Sequence, residues 1–293
     1  MAEGGLLQVV AAGVVAFMLV VLLGALAAGR RRADGSLSIL EHIEELRRRL
    51  LLCIAAFVAG TLVALSVRVD WNGPWPIPTL DVYDNLSAQL FRMAAAHLVP
   101  ANVHLVVTSP LDGFTAQFAW SLSLGFAVAL PVMLVQLGRF FGPALRPRES
   151  RLLLQAVVPT TLLFVTGAAF AYLFVLPVTL AALYGFSDAL GASPLLDVHE
   201  FSSFTLAFLV GFGLAFETPV VLVVLARTGL VEGRTFLRQW KHALVAALVA
   251  GMVLTPDPTI VSQLLLAGPV FLLYLVGALW ASRRPRAAEA QDA

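Results

Sequence analysis

The sequence predicts an all-α, polytopic membrane protein built as a bundle of transmembrane helices, and three observations point to it. Hydrophobic residues make up 59% of the 293 residues and charged residues only 13%, about half the charged share of a soluble domain. Seven apolar segments, Leu6–Ala28, Leu50–Val67, Phe114–Leu137, Leu152–Phe186, Phe201–Ala226, Ala243–Leu254 and Ile260–Ala281, approach the span of a hydrocarbon core, which takes about 20 helical residues. Finally, 17 of the 19 Lys and Arg residues fall in five clusters outside those segments, while Arg68 and Arg92 share one loop.

Basic loops stay on the cytoplasmic side of a membrane. With Arg30–Arg32 and Arg47–Arg49 placed there, the clusters Arg139/Arg146/Arg148/Arg151, Arg227/Arg234/Arg238/Lys241 and Arg283/Arg284/Arg286 each follow after an even number of crossings. The opposite loops hold Asp70, Asp81, Asp84, Asp112, Asp188, Asp197, Glu200 and Asp257. The C-terminus is therefore cytoplasmic and the N-terminus outside, with seven spans, or six if the first is discounted. Residues 1–35 read as an additional N-terminal transmembrane helix with a basic linker, 36–282 as a six-span core and 283–293 as a short cytoplasmic tail.

The first segment contains Ala25-Leu26-Ala27, which resembles a signal-peptidase site, but its start carries Glu3 and no base, and Arg30–Arg32 follows at once. Retention as a membrane helix fits those flanks better than cleavage. In Leu152–Phe186, Pro159 and Pro177 each lack an N–H, so a kink is expected. Ala243–Leu254 is the opposite case: even counted from Lys241 to Thr255 it reaches only about 22 Å at 1.5 Å per residue. The outside loop from Arg68 to Asp112 combines Trp71, Trp75 and several prolines, suited to a membrane interface, with an amphipathic helix over Leu80–Leu98 that starts near Asp81 or Asp84.

Charge segregation by side leaves no basic face for nucleic acid, and none is expected as a partner. The lone Cys53 lies in an apolar run and supports neither a disulfide nor a thiol metal site. No G-x-S-x-G, H-E-x-x-H or G-x-x-x-x-G-K-[ST] occurs, and His199-Glu200 lacks a second histidine. Catalysis, a cofactor and a metal are therefore not expected. A proton-coupled carrier would ordinarily show a second polar group at the midplane and an internal repeat, and neither is evident.

Glu217 is the one ionisable residue deep within an apolar segment. Insertion of an acid at mid-helix costs about 2.5 to 3.5 kcal/mol, and neutralising it at pH 7 from a reference pKa of about 4.3 costs about 3.7 kcal/mol. The costs are close, so both charge states stay open and the carboxyl needs a polar partner in either. Pro219 frees the carbonyl of Ala215, which a protonated Glu217 or a water would satisfy. Gly211, Gly213 and Ala215 leave room for another helix. The alternatives are bonding within its own chain at a kink, a docking point for another membrane helix, and a proton-linked switch.

His42-Ile43-Glu44-Glu45-Leu46-Arg47-Arg48-Arg49-Leu50 resembles the opening signature of the TatC family, multi-spanning receptors of twin-arginine protein translocation. The resemblance continues through Ser109-Pro110, Leu130-Pro131 with Gln136, Phe140-Phe141-Gly142-Pro143-Ala144-Leu145 with Glu149, Phe212-Gly213-Leu214-Ala215-Phe216-Glu217-Thr218-Pro219, Thr255-Pro256-Asp257, and Ser262-Gln263-Leu264-Leu265-Leu266-Ala267-Gly268-Pro269. These pieces stand in family order over about residues 38–281, leaving Leu6–Ala28 outside.

The resemblance implies a six-helix, glove-like core in a prokaryotic cytoplasmic membrane. It implies a receptor that binds the twin-arginine signal peptides of folded cargo at its cytoplasmic face, joins TatA- and TatB-type single-span subunits, self-associates, and draws on the proton-motive force. Glu45 and Glu149 match the acids that bind the paired arginines, with Leu46, Arg47, Phe140 and Pro143 beside them. The isolated carboxyl and the short final hairpin mark Glu217, Pro219 and Gln263 as the expected intramembrane contacts for those partners. Carboxylates suit the planar forks of arginine, yet both acids sit beside basic residues of their own chain and can pair with those instead.

Overall fold

The computed structural model describes residues 39–70, 77–100, 102–141, 147–191, 195–254 and 260–283. The segment Leu6–Ala28, the motif Thr255-Pro256-Asp257 and the tail after residue 283 lie outside the described residues. In order, the elements are α1 (Ile39–Ser66), β1 (Val67–Asp70), β2 (Ile77–Leu80), α2 (Leu86–Leu98), β3 (His104–Val106), α3 (Asp112–Phe141), α4 (Pro147–Phe170), a π-helical turn (Ala171–Val175), α5 (Leu176–Ala189), β4 (Leu195–Asp197), α6 (Val198–Phe216), α7 (Thr218–Arg227), α8 (Gly233–Arg238), α9 (Trp240–Leu254) and α10 (Ile260–Ser282). Among the described residues, four stretches, His42–Ser66, Asp112–Phe140, Leu153–Ser187 and Val198–Arg227, are long and apolar enough to cross a membrane, and two shorter apolar helices cover Trp240–Val253 and Leu266–Ser282. The chain is a polytopic helical membrane protein.

Two compact units divide the chain, Met1–Val157 with Leu180–Leu206, and Val158–Thr179 with Ala207–Ala293. In the first, α1 and α3 meet backbone to backbone. A methyl group on Gly125 would lie 2.7 Å from the Thr61 nitrogen, and one on Gly60 would lie 3.1 Å from Gly125 Cα. Glycine at both positions allows a close approach where packing supplies the attraction between membrane helices. Farther along α3, Val135 packs with Val157 as a buried pair flanked by Leu134 and Leu154.

The loop after α1 holds more strand and less helix than the sequence predicts. β1 and β2 pair antiparallel from Val67↔Leu80 to Asp70↔Ile77, so Leu80 belongs to a strand. Asp81 caps the turn that follows, accepting from the Tyr83 and Asp84 nitrogens at 2.9 and 3.0 Å. The helix begins only at Leu86, where the fully buried Asn85 accepts from the Ala88 nitrogen at 3.0 Å and donates to the carbonyls of Leu65 and Val82. A side chain that satisfies both the helix start and the end of the preceding helix outcompetes the earlier acids as the N-cap. A second, parallel pair joins β3 to β4. Phe91 of α2 packs edge-on against Trp120 and Phe201.

In the second unit the irregularity expected from two prolines is a π turn. The Leu176 nitrogen bonds to the Ala171 carbonyl, five residues back, which accommodates the Pro177 ring that follows; Pro159 lies within continuous helix. Gly167 and Gly213 are filled from across the interface: a methyl on Gly167 would meet the Phe212 carbonyl at 2.6 Å, and one on Gly213 would meet the Phe164 ring at 2.6 Å. The room that Gly213 offers is thus taken by this chain's own helix. Phe170 packs on Phe212 and Phe216 at ring-centre distances of 6.0 and 5.6 Å. After α7, Gly229 adopts φ of 70°, the left-handed residue that ends a helix without a Cβ clash.

Candidate functional site

His42, Glu45 and Arg49 stand at i, i+3 and i+7 on α1 and therefore share one face. Arg49 Nε donates to Glu45 Oε1 at 3.0 Å and Nη2 pairs with the same oxygen. Nη1 donates to Gln136 Oε1 on α3 at 3.4 Å, near the long limit for such a bond. Gln136 is buried, and Glu45 Oε2 is buried with no hydrogen-bond partner among the described residues. An ionised carboxylate accepts through both oxygens, so this one retains unused capacity in a water-poor place. Arg139 on α3 lies close enough to feel the charge of Arg49.

The His42 ring stacks on Phe140 with centroids 4.7 Å apart and planes at 21°. This contact brings the end of α3 onto the face of α1 that carries Glu45. Leu46 is 46% exposed, and Arg47 is exposed on another side of the helix. Glu149 lies in the first turn of α4, with its side chain outside the described residues, as is Pro143. Glu45 and Phe140 are thus joined through neighbours one turn apart.

Glu217 occupies the break between α6 and α7 in the second unit. Its side chain is 8% exposed, and neither carboxyl oxygen has a hydrogen-bond partner among the described residues. It faces Thr160 and the backbone of Phe164 on α4 without completing a hydrogen bond of ordinary geometry to either. The Ala215 carbonyl that Pro219 was expected to leave for Glu217 instead accepts from Thr218 Oγ1 at 2.7 Å. A hydroxyl one residue away reaches it with fewer torsions to fix than the longer carboxyl.

Pro219 and Gln263 are engaged inside the chain. A methyl on Gly277 of α10 would lie 2.7 Å from Pro219 Cα. Gln263 Nε2 donates to the Leu248 carbonyl of α9 at 3.1 Å. Gln263 and Gly277 are about 21 Å apart along α10 at 1.5 Å per residue, so Gln263 does not sit at the level of the Pro219 contact. The sequence reading does not single out His42, Arg49, Gln136 or Thr160 as site residues. The spacing of Glu45 and Arg49 announces their pairing, whereas nothing local announces that Gln136 joins them.

A family model described as Sec-independent protein translocase protein (TatC) matches residues 41–269. The chain belongs to the TatC family. The TatC protein of Cenarchaeum symbiosum (strain A) is 34% identical over 250 residues, covering 84% of this chain and 95% of the relative. That of Escherichia coli (strain K12) is 31% identical over 239 residues, covering 82% of this chain and 86% of the relative. A crystal structure described as the twin arginine translocase receptor TatC in DDM superposes with a TM-score of 0.69 at 34% identity, over 82% of this chain and 99% of that one. The TatC match takes in Glu45, Gln136, Glu217 and Gln263 and leaves Leu6–Ala28 outside it.

Proposed function

We infer that this TatC-family chain is the receptor subunit of a twin-arginine translocase in a prokaryotic cytoplasmic membrane, its basic loops and C-terminus cytoplasmic. It binds the signal peptides of folded cargo at the cytoplasmic face, with Glu45 and Glu149 taking the paired arginines. Leu46, Arg47, Phe140 and Pro143 form the surroundings of that site. The observation that carries the reading is the buried Oε2 of Glu45, without a hydrogen-bond partner among the described residues, an acceptor at the start of a membrane helix that a guanidinium would complete. TatA- and TatB-type single-span subunits meet the chain in the membrane, where Glu217 supplies a polar contact beside Pro219 and Gln263 supports the last hairpin; copies of the chain associate in the receptor complex. Transport runs on the proton-motive force.

The test is photocrosslinking of a twin-arginine signal peptide to membranes carrying the protein with Glu45→Ala and Glu149→Ala together. Loss of the crosslink is expected; a normal yield would remove these two acids from the site.

A further inference from the structure

Building on the receptor reading, we propose that Arg49 is an internal stand-in for the arginine of a visiting peptide, and that Gln136 is the acceptor that holds Arg49 once the visitor has taken Glu45. Arg49 engages Glu45 through Nε and Nη2 on one carboxylate oxygen, and the other oxygen is buried with no hydrogen-bond partner among the described residues. Its remaining arm, Nη1, already points at Gln136 Oε1 at 3.4 Å. Gln136 comes from a different helix, 87 residues along the chain, and is 6% exposed. The seat is therefore built by the fold and not supplied by mobile surface residues.

Charge makes the exchange necessary. Arg139 lies within electrostatic reach of Arg49, and a visiting guanidinium at Glu45 would set a second positive group directly beside Arg49. Like charges at that spacing repel in a low-dielectric setting. Transfer of Arg49 to the neutral amide oxygen of Gln136 leaves the carboxylate to the visitor while Arg49 keeps one hydrogen-bond acceptor. Displacement needs a competitor with the same forked geometry, which an ammonium group lacks. Arg49 and Gln136 thus determine specificity for arginine over lysine, while Glu45 supplies the attraction.

Full-length protein in lipid nanodiscs is titrated with fluorescent signal peptides carrying either twin arginine or twin lysine. Arg49→Gln is expected to tighten twin-arginine binding about tenfold, about 1.4 kcal/mol, and to narrow the arginine-to-lysine ratio. Arg48→Gln, the same charge change at an exposed neighbour, stays within about twofold. Gln136→Met, near in shape but without the acceptor, weakens binding when Arg49 is present and has no effect when Arg49 is already Gln. Gln136→Glu strengthens the seat and shifts affinity the opposite way, an outcome that a packing role would not produce.

Equal effects of Arg49→Gln and Arg48→Gln would overturn the exchange, as would a Gln136→Met cost independent of Arg49. Those results, with binding still abolished by Glu45→Ala, leave the receptor reading standing. Absence of twin-arginine binding by the unaltered protein would remove both.

Discussion

Asp84 pairs with Arg68 at 3.0 Å, and the same carboxylate also accepts Arg92. The two arginines that depart from the inside-positive pattern are therefore neutralised within their own loop, with Asp81 a further 3.8 Å partner of Arg68. Asp84→Asn should loosen this loop by about 1 kcal/mol or less, since all three groups are partly exposed. Faster limited proteolysis of the loop between α1 and α3 at an almost unchanged melting temperature is the expected result.

Two glycines on one helix separate close packing from open space. Gly277 faces Pro219 with no room for a methyl, whereas nothing lies within 4 Å of where a Cβ on Gly268 would stand. Gly277→Ala should cost about 1 to 3 kcal/mol through overpacking. Gly268→Ala should be neutral, or stabilising by up to about 1 kcal/mol through helix propensity. Thermal unfolding of the two variants in the same detergent distinguishes them, and equal shifts would contradict the α7–α10 contact.

Glu217 is held in place without being satisfied. Glu217→Leu removes two buried acceptors that have no partner among the described residues, and should raise the thermal stability of the isolated chain by about 1 to 3 kcal/mol. The same change should abolish crosslinks from the neighbouring helix to single-span partner subunits. A variant that is less stable, or that crosslinks normally, argues that the carboxyl serves this chain alone.

Gln263→Leu removes one amide donor from a helix carbonyl, and the expected loss is about 0.6 kcal/mol, the usual size of such a bond between membrane helices. Its effect should appear as a small fall in melting temperature. Export activity should remain near normal, because the amide is spent on Leu248 of the same chain.

Acid should loosen the loops that hold Asp81 and Asp197 only at low pH. Hydrogen bonds from the Asp84 and Tyr83 nitrogens hold the Asp81 carboxyl below its ordinary range, and the Thr108 hydroxyl, aided by the His199 and Glu200 nitrogens, does the same for Asp197. Both pKa values are lower in the folded chain than in the unfolded one. Their stabilisation is therefore fully present above about pH 4 and is lost as pH falls through the lower folded values. Amide exchange at Thr108 and Tyr83 should be flat from pH 7 to about pH 4, after correction for intrinsic rates, and faster below; Asp197→Asn should weaken that dependence at Thr108, where Asp112 also accepts the amide at 3.0 Å.

The sequence carried the helices well and their irregular ends less well. α3 and α10 fall close to their predicted spans because an apolar run between charged ends has one inexpensive placement in a bilayer. The outer helix starts later than predicted because Asn85, not Asp81 or Asp84, reaches both the Ala88 nitrogen and the Leu65 carbonyl. The space at Gly213 is filled by Phe164 of this chain, a partner that composition cannot name.

By itself the sequence determined that the chain is a polytopic membrane protein, where its apolar segments lie, and which motifs of the TatC family it contains. Those are properties of short windows, since transfer free energy and loop charge accumulate residue by residue along the chain. Tertiary structure alone decided that Arg49 bridges Glu45 to Gln136, that His42 lies on Phe140, and that Glu217 is enclosed without a hydrogen-bond partner among the described residues. Contacts of this kind join helices far apart in sequence, and a carboxylate's partner is set by which backbones pack closely enough to bring a donor within about 3 Å.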